Sequence, residues 1–111
     1  MSGIYQTALN FLNNQNNEEY KNMKFDCSLF VQYCYGKNGK QIPRSSGEQW
    51  SQGQAGNGSE GDIACWSGHV GICDGNGNVI HSYRSDKKIY KDSIKNVSKW
   101  DKKDLKGYKR F

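Results

Sequence analysis

The first third of the chain shows apolar residues at the spacing of helices. The pattern predicts a first helix, capped by Ser2 and ending in the asparagine-rich segment 13–17, whose buried face holds Ile4, Ala8, Phe11 and Leu12. A second helix is predicted to begin at Asp26 or Cys27 and to end at Gly36, with Asp26 as its N-cap. Its inward face holds Cys27, Phe30, Val31 and Cys34, which leaves Cys27 at the rim of the buried side.

A third, shorter helix is predicted after an extended link at Ile42-Pro43-Arg44. Ser45 and Glu48 have the spacing of a capping box, in which the serine hydroxyl and the glutamate side chain satisfy backbone N–H groups at a helix start. The helix is therefore expected to begin here and to run through Ser51.

A glycine-rich loop over 53–61 separates the helices from a region with a period of two. The alternation predicts strands over 62–66, 69–73 and 79–83, and a closing strand over 105–111. Asp62 is expected to cap or anchor the turn into its strand. The lysine-rich stretch 84–104 has no clear period, and its expected apolar anchors are Ile89, Ile94, Val97 and Trp100. This order of elements predicts one α+β domain over residues 1–111.

The only two histidines of the chain, His69 and His81, flank a glycine-rich turn. A two-residue turn at Asn76-Gly77 would place them on opposite faces of the sheet, because directly opposed residues share a face. A three-residue loop over 75–77 would place His81 opposite Gly71, on the same face as His69 and within reach of it. A catalytic role for both histidines requires the second register, in which Gly71 is expected to leave open space beside the imidazoles.

Cys27 has the setting of a thiol nucleophile. A helix N-terminus and a nearby imidazolium both stabilise a thiolate, and the same helix end offers backbone N–H groups to an oxyanion. His69 is the candidate base, and His81 is the candidate residue that orients it. The other three cysteines, Cys34, Cys65 and Cys73, are expected to be small buried hydrophobic residues without disulfides. The spacing of the cysteines does not suit a zinc site, so no metal or cofactor is expected.

Composition and charge exclude several other classes of protein. Mean hydropathy is -0.96 and 13% of the residues are aromatic, which suits a loop-rich domain with a thin core. No apolar run reaches the length of a membrane span, and the N-terminus lacks the pattern of a secretion signal. Residues 84–111 carry eleven Lys or Arg and four Asp or Glu, a local charge of +7. Without an arginine cluster or an aromatic–basic repeat, this region indicates a solvated face or a polyanionic wall surface, and no nucleic acid partner is expected.

These residues, in this order and spacing, resemble the NlpC family of papain-like cysteine peptidases, which are bacterial cell-wall endopeptidases. The segments that carry the resemblance extend over nearly the whole chain: Asp26-Cys27-Ser28, Arg44-Ser45-Ser46-Gly47-Glu48-Gln49, Gly61-Asp62, His69-Val70-Gly71-Ile72 and Ile80-His81. The resemblance implies an α+β, papain-like fold in which a small antiparallel sheet packs against helices. It also implies that Cys27 is the nucleophile at a helix N-terminus, His69 the base and His81 the orienting third residue.

Five further residues are candidates for the substrate or oxyanion site: Tyr20, Asp26, Ser28, Arg44 and Ser45. Arg44 and Ser45 either line the cleft or anchor their loop. Two positions depart from the family pattern. Leu29 stands where the family usually has glycine, and Tyr20 is the one tyrosine available for a position that lines the family's oxyanion site.

The implied activity is hydrolysis of amide bonds in peptidoglycan stem peptides, between γ-D-glutamate and a diamino acid. Because Leu29 departs from the family pattern, a related amidase or acyltransferase is an alternative enzyme activity. The alternative that is not an enzyme is an inactive, basic wall-binding module. A short basic hydrolase without its own secretion signal suits a phage lysin, a delivered antibacterial toxin or a domain of a larger secreted protein. The expected partner is peptidoglycan at the bacterial cell wall, together with a protective inhibitor protein if the chain is a toxin.

Overall fold

A computed structural model of the chain describes residues 3–111. Its four helices are α1 Gly3–Asn14, α2 Cys27–Gly36, α3 Ser46–Gln52 and α4 Ile94–Asp101. Its six strands are β1 Gln54–Ala55, β2 Ile63–Trp66, β3 His69–Cys73, β4 Asn78–Ser82, β5 Ile89–Ser93 and β6 Gly107–Arg110. The strands form one antiparallel sheet in the order β1-β6-β2-β3-β4-β5, which confirms the α+β class. The predicted cap Ser2 lies outside the described residues.

The central strands β2, β3 and β4 are buried on both faces, because side chains alternate along each strand and both sides of the sheet are covered there. The larger core lies between the sheet and helices α1 and α2, and it includes Phe11, Phe30, Val31, Val70, Ile72 and Ile80. The smaller core lies on the opposite face beside α4, and it includes Ala64, Trp66, Cys73, Val79 and Val97. No helix within residues 3–111 is both long and apolar enough to cross a membrane.

Helix α2 begins at Cys27 because Asp26 caps it. Asp26 has extended backbone angles (φ -82°, ψ 177°), and its Oδ1 accepts a hydrogen bond of 2.8 Å from the backbone N–H of Leu29. The cap satisfies one of the free N–H groups of the first turn. The predicted boundaries of this helix and its N-cap are therefore confirmed, and the nucleophile candidate stands at its first position.

The turn between β3 and β4 has the register that the catalytic interpretation requires. Ile72 pairs with Ile80 and Cys73 pairs with Val79, and the backbone N–H of Asp74 donates to the carbonyl of Asn78 at 3.0 Å. Asp74 Oδ1 also accepts hydrogen bonds from the backbone N–H groups of Asn76 and Asn78 inside the loop, which fixes its length. The three-residue loop is confirmed, and both histidines lie on the same face.

Several element predictions need correction. Gln54–Ala55, predicted as part of a glycine-rich loop, forms a short strand because β6 offers it an edge to pair with. The ambiguous stretch 84–104 contains β5 and α4. Ile89 and Val97 are buried anchors as expected. The prediction that Trp100 is an apolar anchor was wrong, because its side chain is 44% exposed. Its ring leaves the core and packs on Tyr83 with ring centroids 6.0 Å apart.

Three further structural predictions are confirmed. Cys34, Cys65 and Cys73 are buried free thiols, and the closing strand β6 pairs with β2 and β1. Asp62 anchors the turn before β2. Its Oδ2 accepts three backbone hydrogen bonds from residues 57–59, and both of its oxygens accept from Arg110.

Candidate active site

Cys27 lies where the start of helix α2 meets the start of strand β3. Its Sγ is 3.9 Å from the carbonyl oxygen of Gly68, and the backbone N–H of Val70 donates to the sulfur. The thiol therefore contacts the backbone on both sides of His69. Cys27 is the one partly exposed cysteine among those described, so it is the thiol that a substrate can reach.

The two histidines form a buried pair. Nε2 of His69 lies 2.7 Å from Nδ1 of His81, within hydrogen-bonding distance, and the ring centroids are 5.0 Å apart. His69 is 7% exposed and His81 is completely buried. Because one ring nitrogen of His69 is engaged by His81, Nδ1 is the nitrogen left to exchange a proton with a thiol.

A third polar residue, absent from the sequence-based candidates, continues this arrangement. Asp92 in β5 places Oδ2 2.9 Å from Nε2 of His81, and its side chain is 15% exposed. Asp92 pairs with Val79 in β4, two residues from His81, so it lies on the same face of the sheet as His81. The sequence did not point to Asp92, because the stretch around it lacks the alternation that would have predicted β5.

Aromatic rings enclose the histidine pair and lower its basicity. Tyr83 stacks on His81 at 26° and meets His69 edge-on, with centroids 5.3 Å apart, and Trp66 lies 5.5 Å from His69. Burial, with smaller effects of His81 and of the positive charge of Lys103, lowers the pKa of His69 to about 3. Burial also lowers the pKa of His81, although Asp92 opposes that shift.

The thiol of Cys27 is shifted in the opposite direction. Burial raises its pKa and outweighs the hydrogen bonds from the N–H groups of Val70 and Ser28, and the negative charge of Asp26 raises it further. The sequence-based expectation of a thiolate stabilised by the helix N-terminus therefore needs correction, because desolvation dominates. The resting pair is a neutral thiol and a neutral imidazole.

The structure brings three further candidate residues together beside Cys27. Nη2 of Arg44 lies 2.9 Å from Oδ2 of Asp26, and Nη1 of Arg44 donates to Oγ of Ser28 at 2.9 Å. The guanidinium lowers the pKa of Asp26, and about half of the Arg44 side chain is exposed. This cluster links the segment before α3 to the first turn of α2, so Arg44 is held beside the two residues that flank Cys27.

Two candidates have contacts elsewhere. Ser45 is the N-cap of α3: its Oγ accepts from the backbone N–H of Glu48 at 3.2 Å and donates to the Glu48 carboxylate at 3.0 Å. Tyr20 packs its ring against Phe11 in α1, and its hydroxyl accepts a hydrogen bond from Nδ2 of Asn10 at 3.2 Å. The contacts of Ser45 favour loop anchoring, and the oxyanion role of Tyr20 stays a prediction.

Gly71 does not leave open space beside the imidazoles, as the sequence had suggested. A Cβ atom built on Gly71 would lie 3.0 Å from Cβ of His81 and 3.0 Å from Cβ of Val79. Glycine is instead required for the close approach of β3 and β4 at this level of the sheet. Within residues 3–111, no group of three or more His, Cys, Asp or Glu residues is arranged to hold a metal ion.

Comparison with known proteins identifies the family of the chain. The model of the NlpC/P60 family matches residues 14–108, a range that includes Cys27, both histidines and Asp92. The chain belongs to the NlpC/P60 family. An NlpC/P60 protein of Bacillus cereus of known crystal structure is 28% identical, with a TM-score of 0.63 over 78% of this chain and 32% of that protein.

Two other NlpC/P60 relatives define how far the similarity reaches. A probable endopeptidase of Corynebacterium glutamicum is 42% identical over 76 residues, which are 63% of this chain and 36% of that protein. The NlpC/p60 domain of the peptidoglycan hydrolase SagA is 24% identical and shares the fold, with a TM-score of 0.68 over 98% of this chain and 97% of that domain. The chain thus spans about a third of the length of the Corynebacterium relative and nearly the whole of an isolated NlpC/P60 domain.

Proposed function

We propose that this chain is a cysteine peptidase that hydrolyses amide bonds in the stem peptides of bacterial peptidoglycan. The observation that carries the proposal is the 2.7 Å contact between His69 and His81, together with a partly exposed cysteine at a helix start that contacts the backbone on both sides of His69. Membership in the NlpC/P60 family supports it, as do relatives described as probable endopeptidases and as a peptidoglycan hydrolase.

In the proposed reaction, Sγ of Cys27 attacks the carbonyl carbon of the scissile amide while its proton passes to Nδ1 of His69. The negative charge that develops on the carbonyl oxygen faces the N-terminal N–H groups of α2, including that of Cys27 itself. His69 then gives its proton to the leaving amine, and a thioester to Cys27 remains. Water, deprotonated by His69, hydrolyses the thioester and restores the thiol.

A neutral thiol and a neutral imidazole are the starting state of this sequence of proton transfers. The lowered pKa leaves His69 unprotonated at neutral pH but also makes it a weaker base, so taking the thiol proton costs free energy. The imidazolium is formed only next to the developing thiolate, and the attraction between the two charges offsets the cost of charging a buried ring.

The finer proposal is that the scissile bond joins γ-D-glutamate to a diamino acid, with Asp26, Ser28 and Arg44 at one edge of the substrate cleft. It rests on the sequence motifs and on the cluster that Arg44 makes with Asp26 and Ser28. Leu29, the departure from the family pattern, packs on the larger core. A phage lysin or a delivered toxin with an inhibitor protein stays a prediction, and a stable complex isolated from the producing cell would support the toxin.

Mass spectrometry of purified peptidoglycan digested with wild type, Cys27→Ala and Cys73→Ala tests both levels of the proposal. Cys73 is a buried thiol, so its variant controls for the loss of any cysteine. We expect fragments that end at D-glutamate with wild type and Cys73→Ala, and none with Cys27→Ala. Release of intact stem peptides would identify an amidase, and products that persist in Cys27→Ala would contradict a cysteine nucleophile.

A further inference from the structure

Strands β3, β4 and β5 each contribute one polar side chain to a continuous buried line. His69, His81 and Asp92 follow one another through contacts of 2.7 Å and 2.9 Å, and the middle residue has no solvent contact. Among the residues that the structure describes, His81 is the one hydrogen-bond partner of the Asp92 carboxylate. The neighbouring Lys91 instead faces Asp74 at 3.5 Å, and within residues 3–111 no lysine or arginine forms an ion pair with Asp92.

Hydrogen-bond chemistry then fixes where each proton lies. An ionised carboxylate is an acceptor only, so Nε2 of His81 carries the proton that it donates to Asp92. A neutral imidazole has a single N–H, so Nδ1 of His81 is an acceptor and Nε2 of His69 is the donor. The proton on Nε2 of His69 leaves Nδ1 of His69 with its lone pair free.

We propose that Asp92 is a positioning residue that holds both histidines in their Nε2–H tautomers and so keeps Nδ1 of His69 free to accept the proton of Cys27. Its consequence for turnover rests on the proposed function, whereas the tautomers themselves do not. Asp92 touches no reacting atom. It acts through His81, two hydrogen bonds away from the nitrogen that works as the base.

The substitution Asp92→Asn separates this role from a merely structural one. The amide of asparagine can donate as well as accept, and donation to Nε2 of His81 would reverse every bond in the line. The proton of neutral His69 would then lie on Nδ1, where it blocks the base. Asp92→Glu keeps an acceptor-only side chain. Asp86→Asn removes the same charge from an exposed carboxylate that contacts Tyr90 and Lys88 instead of the histidines.

The first measurement is ¹⁵N NMR of the imidazole nitrogens at neutral pH, which reports the tautomer of each ring. Only two histidines contribute signals, so assignment needs one histidine variant. We expect both rings to be Nε2–H in wild type, Asp86→Asn and Asp92→Glu, with the Nδ1–H form appearing in Asp92→Asn. A wild-type His81 in the Nδ1–H form would overturn the proposal without any variant, even if Asp92→Asn fails to fold.

The second measurement is the rate of Cys27 alkylation by iodoacetamide, which needs no peptidoglycan. We expect Asp92→Asn to slow alkylation by roughly 10- to 100-fold, by analogy with the loss of an outer carboxylate partner from a metal-bound imidazole, and Asp92→Glu to recover most of the rate. Equal rates in wild type and folded Asp92→Asn would overturn the proposal. Normal tautomers and alkylation, with no products from any cell wall, would instead count against the proposed function alone.

Discussion

Burial shifts the pKa values of the candidate nucleophile Cys27 and the candidate base His69 in opposite directions, and both shifts favour an uncharged side chain. The pKa of Cys27 rises and that of His69 falls to about 3, because Tyr83 and Trp66 pack on the His69 ring and the thiol lies against the backbone of β3. The proposed reaction therefore depends on the position of His69 rather than on a charge that it carries at rest. Residues that fix the position of His81, the partner of His69, are then important for activity.

Gly71 is one of those residues, and Gly71→Ala tests the tight fit of β3 on β4. A new Cβ would lie 3.0 Å from Cβ of His81 and of Val79, so the strands must separate or His81 must move. We expect a loss of about 1–3 kcal/mol in the free energy of unfolding, measured with urea, and a larger proportional loss of peptidoglycan hydrolysis. Gly36→Ala is the control, since no atom lies within 4 Å of its added Cβ, and equal behaviour of the two variants would contradict this explanation.

Single residues were predictable where a rare residue type coincided with a strong local pattern. Cys27 could be singled out because a cysteine followed a capping aspartate, and the histidines because a glycine turn set their spacing. Asp92 could not be found, because its partner His81 is eleven residues away across a strand pair that had no visible period. The predicted direction of the Cys27 pKa shift was wrong, because the shift depends on how deeply the thiol is buried, and burial is set by the packing of the whole molecule.

At the scale of elements, the start of helix α2 serves both the fold and the site. Asp26 uses Oδ1 to cap the helix at Leu29 and Oδ2 to hold Arg44, so one side chain sets the positions of both Cys27 and Arg44. The two tasks differ in chemistry. Capping needs an oxygen acceptor, whereas the contact with Arg44 gains strength from a negative charge.

Comparison of Asp26→Asn with Asp26→Ala separates these tasks. Asparagine caps helices about as well as aspartate, so we expect Asp26→Asn to unfold within about 0.5 kcal/mol of wild type, while Asp26→Ala loses about 0.5–2 kcal/mol. Chemical denaturation measures both. If Arg44 binds substrate only when Asp26 holds it, Asp26→Asn should raise KM with little change in kcat. An unchanged KM would show that the ion pair serves the loop alone.

Elements were predictable where capping residues or an alternating pattern marked them, as at Asp26, Ser45 and strand β3. Helix α4 and strand β5 were not, because their anchors Ile89 and Val97 are separated by exposed lysines that suit either period. Strand β1 has only two residues, both exposed, so its existence depends on the edge of β6 and leaves no mark in its own sequence.

At the scale of the whole molecule, the buried histidine pair links the fold to pH. His69 has a pKa of about 3 in the folded chain and an ordinary value of 6.5 when unfolded. Between these values the unfolded chain binds a proton that the folded chain does not. The free energy of unfolding is therefore highest above pH 6.5, as far as His69 is concerned, and it falls as the pH falls towards 3. The pKa of His81 is also lowered, and it contributes in the same direction.

Stability at pH 7 and pH 5 therefore should differ. We expect wild type to lose about 2 kcal/mol of unfolding free energy on this step from His69 alone, since one proton contributes up to about 1.4 kcal/mol per pH unit. The carboxylates with lowered pKa contribute little above pH 5, because they begin from 3.8. Urea denaturation of wild type and His69→Gln measures the effect. An equal loss in both proteins would show that His69 does not carry it.

The most direct test of the account is to trap the acyl intermediate on the protein. A peptidoglycan stem peptide is mixed with the protein, the reaction is quenched in acid, and peptide mapping by mass spectrometry locates the added mass among the four cysteines. The account predicts a thioester on Cys27 alone, which accumulates in wild type and is absent from Cys27→Ala. An adduct on Cys34, Cys65 or Cys73, or continued hydrolysis by Cys27→Ala, would contradict it.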